Sequence, residues 1–152
     1  MKESRPKLNQ LNIVASDPGA SLQFYRRLGV EIPEHFIWRT PTGTHHAGAE
    51  GAGNTEAIDL EIDSVPFARI WNRGWSARAE LAGRVVVGFR FPSREAVDEC
   101  YADLTGAGYN GLQPPHDAFW GARYAIVEDP DGIAVGLMSP QSNEHRSKPP
   151  EV

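Results

Sequence analysis

The chain has 152 residues, a formal net charge of −5, 40% hydrophobic and 23% charged residues, and a single cysteine, Cys100. That length suits one domain able to bury about two-thirds of its unfolded surface. The acidic balance argues against a nucleic-acid partner, and no apolar run approaches the roughly 20 residues that span a bilayer. One cysteine excludes an internal disulfide, and Met1–Lys7 lacks the apolar core of a signal peptide, so a cytoplasmic protein is expected.

In chain order, Leu11, Ile13 and Ala15 alternate with Asn12, Val14 and Ser16, which predicts a strand with one apolar face. Asp17-Pro18 supplies an N-cap followed by a proline at the first helical position. Leu22, Tyr25 and Leu28 then recur at helical spacing, Arg26 and Arg27 point away, and Gly29 closes the helix. Strands are expected near Val30–Trp38 and Thr44–Ala49, a loop over Ala47–Asn54, and a fourth strand where Ile58, Leu60 and Ile62 alternate with Asp59, Glu61 and Asp63. Val65–Trp75 reads as a short helix and connector.

Arg84–Phe91 resumes as strand. Ser93 caps a helix carrying Val97, Cys100, Tyr101 and Leu104, which Gly106 and Gly108 end, and there Cys100 reads as a buried thiol. Pro114-Pro115 and Gly121 mark a loop, Ala122–Glu128 a strand, Asp129-Pro130-Asp131-Gly132 a tight turn, and Ile133–Met138 the closing strand. The polar, proline-containing tail from Ser139 is expected to be disordered. Strand, helix, then strands thus occur twice, and the pattern by itself gives a duplicated α+β domain.

Three segments carry a resemblance. Leu11-Asn-Ile-Val-Ala-Ser-Asp-Pro-Gly-Ala-Ser-Leu-Gln-Phe-Tyr25 with Leu28-Gly29, Phe89-Arg-Phe-Pro-Ser-Arg-Glu-Ala-Val97, and Glu128-Asp-Pro-Asp-Gly132 with its apolar strand resemble, in order, the two module openings and the closing hairpin of the vicinal-oxygen-chelate superfamily, which includes glyoxalases, bleomycin resistance proteins and dioxygenases. The resemblance implies an α+β fold of two βαβββ modules curling a sheet around a cleft. It places one domain at 8–139, with modules near 10–63 and 84–138, a connector at 64–83 and a tail at 140–152. It also implies a homodimer.

Metal-dependent relatives of this kind carry four ligands on cleft-facing strands. By resemblance these positions fall on Gln10, on Asp59 or Glu61, on Val86 and on Gly136, so two of the four offer no donor. No metal and no cofactor is expected. Adjacent His45 and His46 on a strand point to opposite faces, so at most one enters the cleft, and the pair reads as solvent-exposed beside a loop. Gly88, Ala134 and Gly136 are expected to open volume, with Trp38, Trp71, Trp75, Phe119 and Trp120 around it. Trp71 and Trp75 read as anchors of the connector. Arg90 either pairs with Asp59 or Glu61 or meets an anionic ligand group.

The candidate ligand-binding residues are therefore Gln10, Asn12, Trp38, Glu61, Arg90, Phe119, Trp120, Tyr124, Gly136 and Met138, with no catalytic residue assigned. The leading expectation is metal-free sequestration of a small hydrophobic or aromatic compound, as in bleomycin-resistance-like proteins. The alternative is an enzyme of the same fold (lyase, isomerase or dioxygenase-like) using substitute metal ligands or a cleft carboxylate.

Overall fold

The computed structural model describes residues 10–49, 58–76 and 85–150. The chain divides into two compact units, Met1–Ser76 and Ala77–Val152. The first contains β1 (Gln10–Ala15), α1 (Pro18–Leu28), β2 (Ile37–Thr40), β3 (Gly43–Ala49), β4 (Asp59–Ser64) and α2 (Val65–Trp71). The second contains β5 (Val86–Arg90), α3 (Arg94–Gly106), β6 (Gly111–Asp117), β7 (Arg123–Glu128) and β8 (Ala134–Met138).

Each unit carries one four-stranded mixed sheet, ordered β1-β4-β3-β2 in the first and β5-β8-β7-β6 in the second. In both, the first and last strands pair in parallel and the other neighbours are antiparallel. Two βαβββ modules, α+β in class, are thus built to the same plan.

The expected caps form. Asp17 accepts from the Ala20 amide at 3.1 Å, and Gly29 leaves α1 with φ 112°, a backbone state open to glycine. Strand alternation then sorts the faces. Ile13, Ala15, Ala47, Ala49, Leu60 and Ile62 are buried, and α1 packs on β1, β3 and β4 through Leu22, Tyr25 and Leu28. In the second unit Val87, Val127, Val135 and Leu137 are buried with Val97 and Leu104 of α3. These stripes form each unit's core; the opposite face of the first sheet carries the polar residues Gln10, Asn12, His46, Asp59, Glu61 and Asp63, whereas that of the second is largely apolar, with Val86, Ile126 and Met138.

Several expectations need correction. Val30–Pro33 is not strand: a single 3-10 turn at Glu34–Phe36 precedes β2, and Arg26 donates to the Ile32 carbonyl at 2.5 Å, fixing the chain before the strand begins. Pro114-Pro115 lies inside β6, not in a loop. β6 is the outer strand of its sheet, where a residue without N–H is tolerated, and its register with β7 shifts twice around the prolines. The loop expected from Ala47 begins no earlier than residue 50, because Ala47–Ala49 complete β3; residues 50–54 lie outside the described residues, as do Met1–Lys7, Arg84 and 77–83 of the connector. α2 ends at Trp71 and packs on β1, β3 and β4.

The tail after Ser139 has order that its composition does not announce. The amides of Ser142 and Ser147 donate to the carbonyls of Gly121 and Phe119 at 3.0 and 2.9 Å, and Arg146 bridges to Trp120. Gly121 (φ 95°) makes this possible, since a Cβ there would lie 2.3 Å from the Ser142 carbonyl oxygen.

Candidate functional site

Period-two alternation along β4 turns Asp59, Glu61 and Asp63 to the face opposite α1. Parallel pairing sets Gln10, Asn12 and Val14 of β1 beside them, with Asn12 opposite Glu61. Antiparallel pairing with β3 sets His46 opposite Asp63 and Gly48 opposite Glu61. Ser64 caps α2 by accepting from the Phe67 amide at 3.1 Å, which swings α2 over the end of this face. The result is a pocket of about 370 Å³ lined by Gln10, Asn12, His46, Glu61, Asp63, Phe67 and Trp71.

Asp63 is the centre of the pocket's hydrogen bonding. It is 2% exposed and accepts from His46 Nδ1 at 2.5 Å, Asn12 Nδ2 at 2.9 Å and Trp71 Nε1 at 3.1 Å. A buried carboxylate needs such donors to offset lost hydration. The other imidazole nitrogen, His46 Nε2, lies 3.1 Å from Glu61 Oε2, so the ring bridges the two carboxylates. Glu61 in turn lies over bare backbone, because a Cβ on Gly48 would come within 2.8 Å of Oε2. Phe67 meets the edges of both His46 and Trp38, at ring distances of 5.9 and 5.4 Å.

The expected opposition of the two histidines holds, but their solvent-exposed reading does not. His45 turns to the other face and engages Ser64 Oγ at 2.8 Å and Thr42 Oγ1 at 2.7 Å. Thr42 lies in the turn just before β3 and Ser64 at the end of β4, and the latter contact depends on the β3–β4 pairing. Of the two carboxylates left open, Glu61 lines the pocket and Asp59 does not. Trp71 is half exposed and lines the pocket besides holding Asp63; Trp75 instead stacks beneath Arg69, 5.5 Å from its guanidinium carbon. Asp63, His46, Phe67 and Trp71 were not among the candidates. For Asp63 the signal was present in the alternation that selected Glu61, and for His46 it required the β3–β4 register.

The remaining candidates fall as follows. Trp38 stands beside the pocket on β2, against Phe67 and His45, without lining it. Arg90 ends β5 with an exposed side chain. Phe119, Trp120 and Tyr124 form an aromatic row in the second unit, with successive ring distances of 5.1 and 5.4 Å, and His116 flanks Tyr124 at 6.1 Å. Met138 pairs with Tyr124 in register. Gly136 does not open volume as expected: the Tyr124 ring lies across it, and a Cβ there would come within 2.8 Å of the phenolic oxygen. Ala134 is buried, and only Gly88 has open space above it.

The match to a known family decides between readings of this duplicated fold. Residues 7–137 match the model of the glyoxalase/bleomycin resistance protein/dioxygenase superfamily. The chain belongs to that superfamily. Among solved structures it is similar to a glyoxalase/bleomycin resistance protein/dioxygenase from Nocardioides, with 28% identity, a TM-score of 0.64, and coverage of 98% of this chain and 91% of that one. It shares its fold with a glyoxalase-related enzyme from Fulvimarina pelagi (18% identity, TM-score 0.69, 90% and 89% covered). A family enzyme from Burkholderia phytofirmans is related in the same way (17%, 0.67, 88% and 98%). No curated protein matches the chain.

Val86 and Gly136 bring no donor atom, and the phenol of Tyr124 covers Gly136. In the first unit His46 Nδ1 is hydrogen-bonded to Asp63, and its Nε2 lies 3.1 Å from Glu61 Oε2. Among the described residues no three of His, Cys, Asp or Glu are grouped to hold a metal ion. The donor set does not fit the superfamily's four-ligand site.

Proposed function

We propose that this superfamily member is a metal-free, cofactor-free small-molecule-binding protein of the bleomycin-resistance type, holding an aromatic or otherwise apolar compound in the first unit's pocket. The observation that carries the reading is the pocket itself: about 370 Å³, within the range of small-molecule sites, with Phe67 and Trp71 as walls and a floor of Asn12, Glu61 and His46. Such a mixture of flat apolar contact and a few polar groups gives orientation at small entropic cost. Gln10, Asn12 and Glu61 are ligand contacts in this proposal. The aromatic row of Phe119, Trp120 and Tyr124, with Met138, is the second surface offered to an apolar molecule.

A mass-detected pull-down from a natural-product library, followed by fluorescence titration of the compounds retained, tests the reading. Trp71→Ala should weaken binding by about 1–3 kcal/mol, the scale for removing a large ring packed on a ligand. If Trp120→Ala and Tyr124→Ala weaken it while Trp71→Ala does not, the ligand sits on the second unit's aromatic row. If no compound is retained, the binding function falls.

The bridge from Asp63 through His46 to Glu61 favours one second reading, a metal-free enzyme using a pocket carboxylate as a base. Mass analysis of the bound compound after prolonged incubation separates the two, since sequestration returns it unchanged. We also propose a cytoplasmic homodimer, for which a mass in solution near twice the 16.7 kDa chain is the expected result.

A further inference from the structure

Alternation along β5 turns Val87 and Phe89 to one side and leaves Val86, Gly88 and Arg90 exposed on the other. Strand register fixes what stands beside them. Arg90 shares a row with Met138, Tyr124 and His116, one residue from each strand of the sheet, and the next row holds Gly88, Gly136, Ile126 and Gln113. Tyr124 leans from its own row over Gly136, where a Cβ would come within 2.8 Å of the phenolic oxygen, whereas a Cβ on Gly88 would meet nothing within 4 Å. Gly88 is therefore bare backbone, with a phenol over the neighbouring strand and a guanidinium two residues along its own. Neighbouring strands lie about 4.8 Å apart and alternate residues of one strand about 6.7 Å apart, spacings that a small flat molecule spans. Both polar groups are unengaged. Among the described residues Arg90 makes no ion pair or hydrogen bond, and the Tyr124 phenol makes no hydrogen bond. Arg94 and Arg123, by contrast, are tied to Asp98 and Asp117.

We propose that this face of the second unit is a binding site for a flat aromatic monocarboxylate, its ring laid on the backbone at Gly88 and its carboxylate held by Arg90 and the Tyr124 phenol. The site is additional to the first unit's pocket and does not depend on what that pocket holds. A planar guanidinium matches a carboxylate with two parallel hydrogen bonds, and the phenol O–H can donate another. Only a residue without a side chain lets a ring approach the backbone this closely, and Val86, 47% exposed, offers apolar surface beside it. One guanidinium in a chain of net charge −5 favours a single negative charge over a phosphate dianion. Glu128, an acid of the same face, stands in the row of Ala134 and Val86 on the far side of Gly88 from Arg90, where Asn110 Nδ2 donates to it at 2.8 Å. A second copy of the chain meeting this face with its own would thus bring Arg90 no unengaged acid from the described strands.

The test uses the full chain and two probes of one shape, 2-naphthoate and 2-naphthamide, titrated by calorimetry at low salt. The acid should bind about tenfold or more tighter than the amide. Arg90→Gln removes the charge, and Gly88→Val fills the floor with a residue suited to a strand and with open space above it. Each variant, checked for unchanged circular dichroism and thermal midpoint, should erase the preference for the acid. Equal binding of acid and amide by the wild type overturns the proposal, as does failure of both to bind at millimolar concentration. A preference that survives either substitution overturns it as well, since the carboxylate then sits elsewhere. A mass in solution that changes with Gly88→Val would place a second copy of the chain on this face and overturn it too. Each of these failures leaves the first unit's pocket to the library experiment, whose readout is Trp71.

Discussion

At Gly48 a single methyl group would stand 2.8 Å from Glu61 Oε2, the far end of a flexible side chain, so the carboxylate is the group that must shift. Gly48→Ala should therefore either displace the Glu61 carboxylate or lower stability by about 1–3 kcal/mol, the usual cost of overpacking. Chemical denaturation reads the second outcome and a changed ligand affinity reads the first; a variant unchanged in both would mean that the carboxylate does not rest there. Cys100 gives a prediction of opposite character. Burial, and then the neighbouring charge of Asp103, push its thiol up to about 11. Alkylation should be slow at neutral pH and accelerate only as the solution becomes strongly alkaline, because the thiolate is the nucleophile. Rapid labelling near neutrality would contradict this placement. Residue-scale legibility followed one rule. Alternation along a strand showed that His45 and His46 face apart, but left open whether Asp59 or Glu61 enters the cleft; the β1–β4 register sets Glu61 beside Asn12. Alternation did not show that His46 has carboxylates on both sides, because those contacts depend on which strands become neighbours.

The elements are tied together by charge at one place in the second unit. Asp117 of β6 is held by Arg94 of α3 and by Arg123 of β7 at 3.1 Å, and Arg123 also donates to Asp98 of α3 at 2.8 Å. The Arg123 hydrogen bond, then the Arg94 and Arg123 charges, hold the Asp117 carboxyl below its ordinary value of 3.8. A carboxyl with a lower value folded than unfolded contributes stability that is present above the unfolded value and lost as pH falls through the folded one. Asp117 is fully exposed, so the contribution is small. Asp117→Asn should lower the thermal midpoint slightly at about pH 7 and make its further fall toward about pH 3 shallower than in the wild type. An unchanged slope would show that the pairs do not persist in solution. Helices proved more legible than strands, for a physical reason. Asp17, Ser93 and Gly29 act on their own helices, so their signals are local. β6 was hidden because Pro114-Pro115 reads as a break unless the strand is known to lie at a sheet edge, which is a property of the whole sheet. The ordered tail was hidden likewise, since its partners are backbone groups of Phe119 and Gly121.

At the scale of the molecule, the duplicated module was legible as a repeated order of patterns, and matching strand orders in the two sheets report it directly. The superfamily's metal-ligand positions are drawn from both modules, and the chain treats the halves differently. The first keeps Gln10 and Glu61, but commits Glu61 to a bridge with His46 over Gly48. At the positions the resemblance assigns, the second has Val86 and Gly136, which bring no donor, and the ring of Tyr124 is laid over Gly136. A divalent ion offered one carboxylate and one neutral amide would bind weakly, because affinity depends on ligand number and type. A side chain bearing a donor at Gly136 would require Tyr124 to move, so packing as well as residue identity argues against a metal ligand there. The protein as purified should accordingly carry far less than one equivalent of zinc, nickel, iron or manganese per chain, and chelation should leave its thermal midpoint and ligand affinity unchanged. A ligand that stabilises only the folded state by binding would raise that midpoint, so a tightly held metal would reveal itself as a fall on chelation. Elemental analysis finding about one equivalent, removed by chelator together with binding, would show that residues other than Val86 and Gly136 hold a metal.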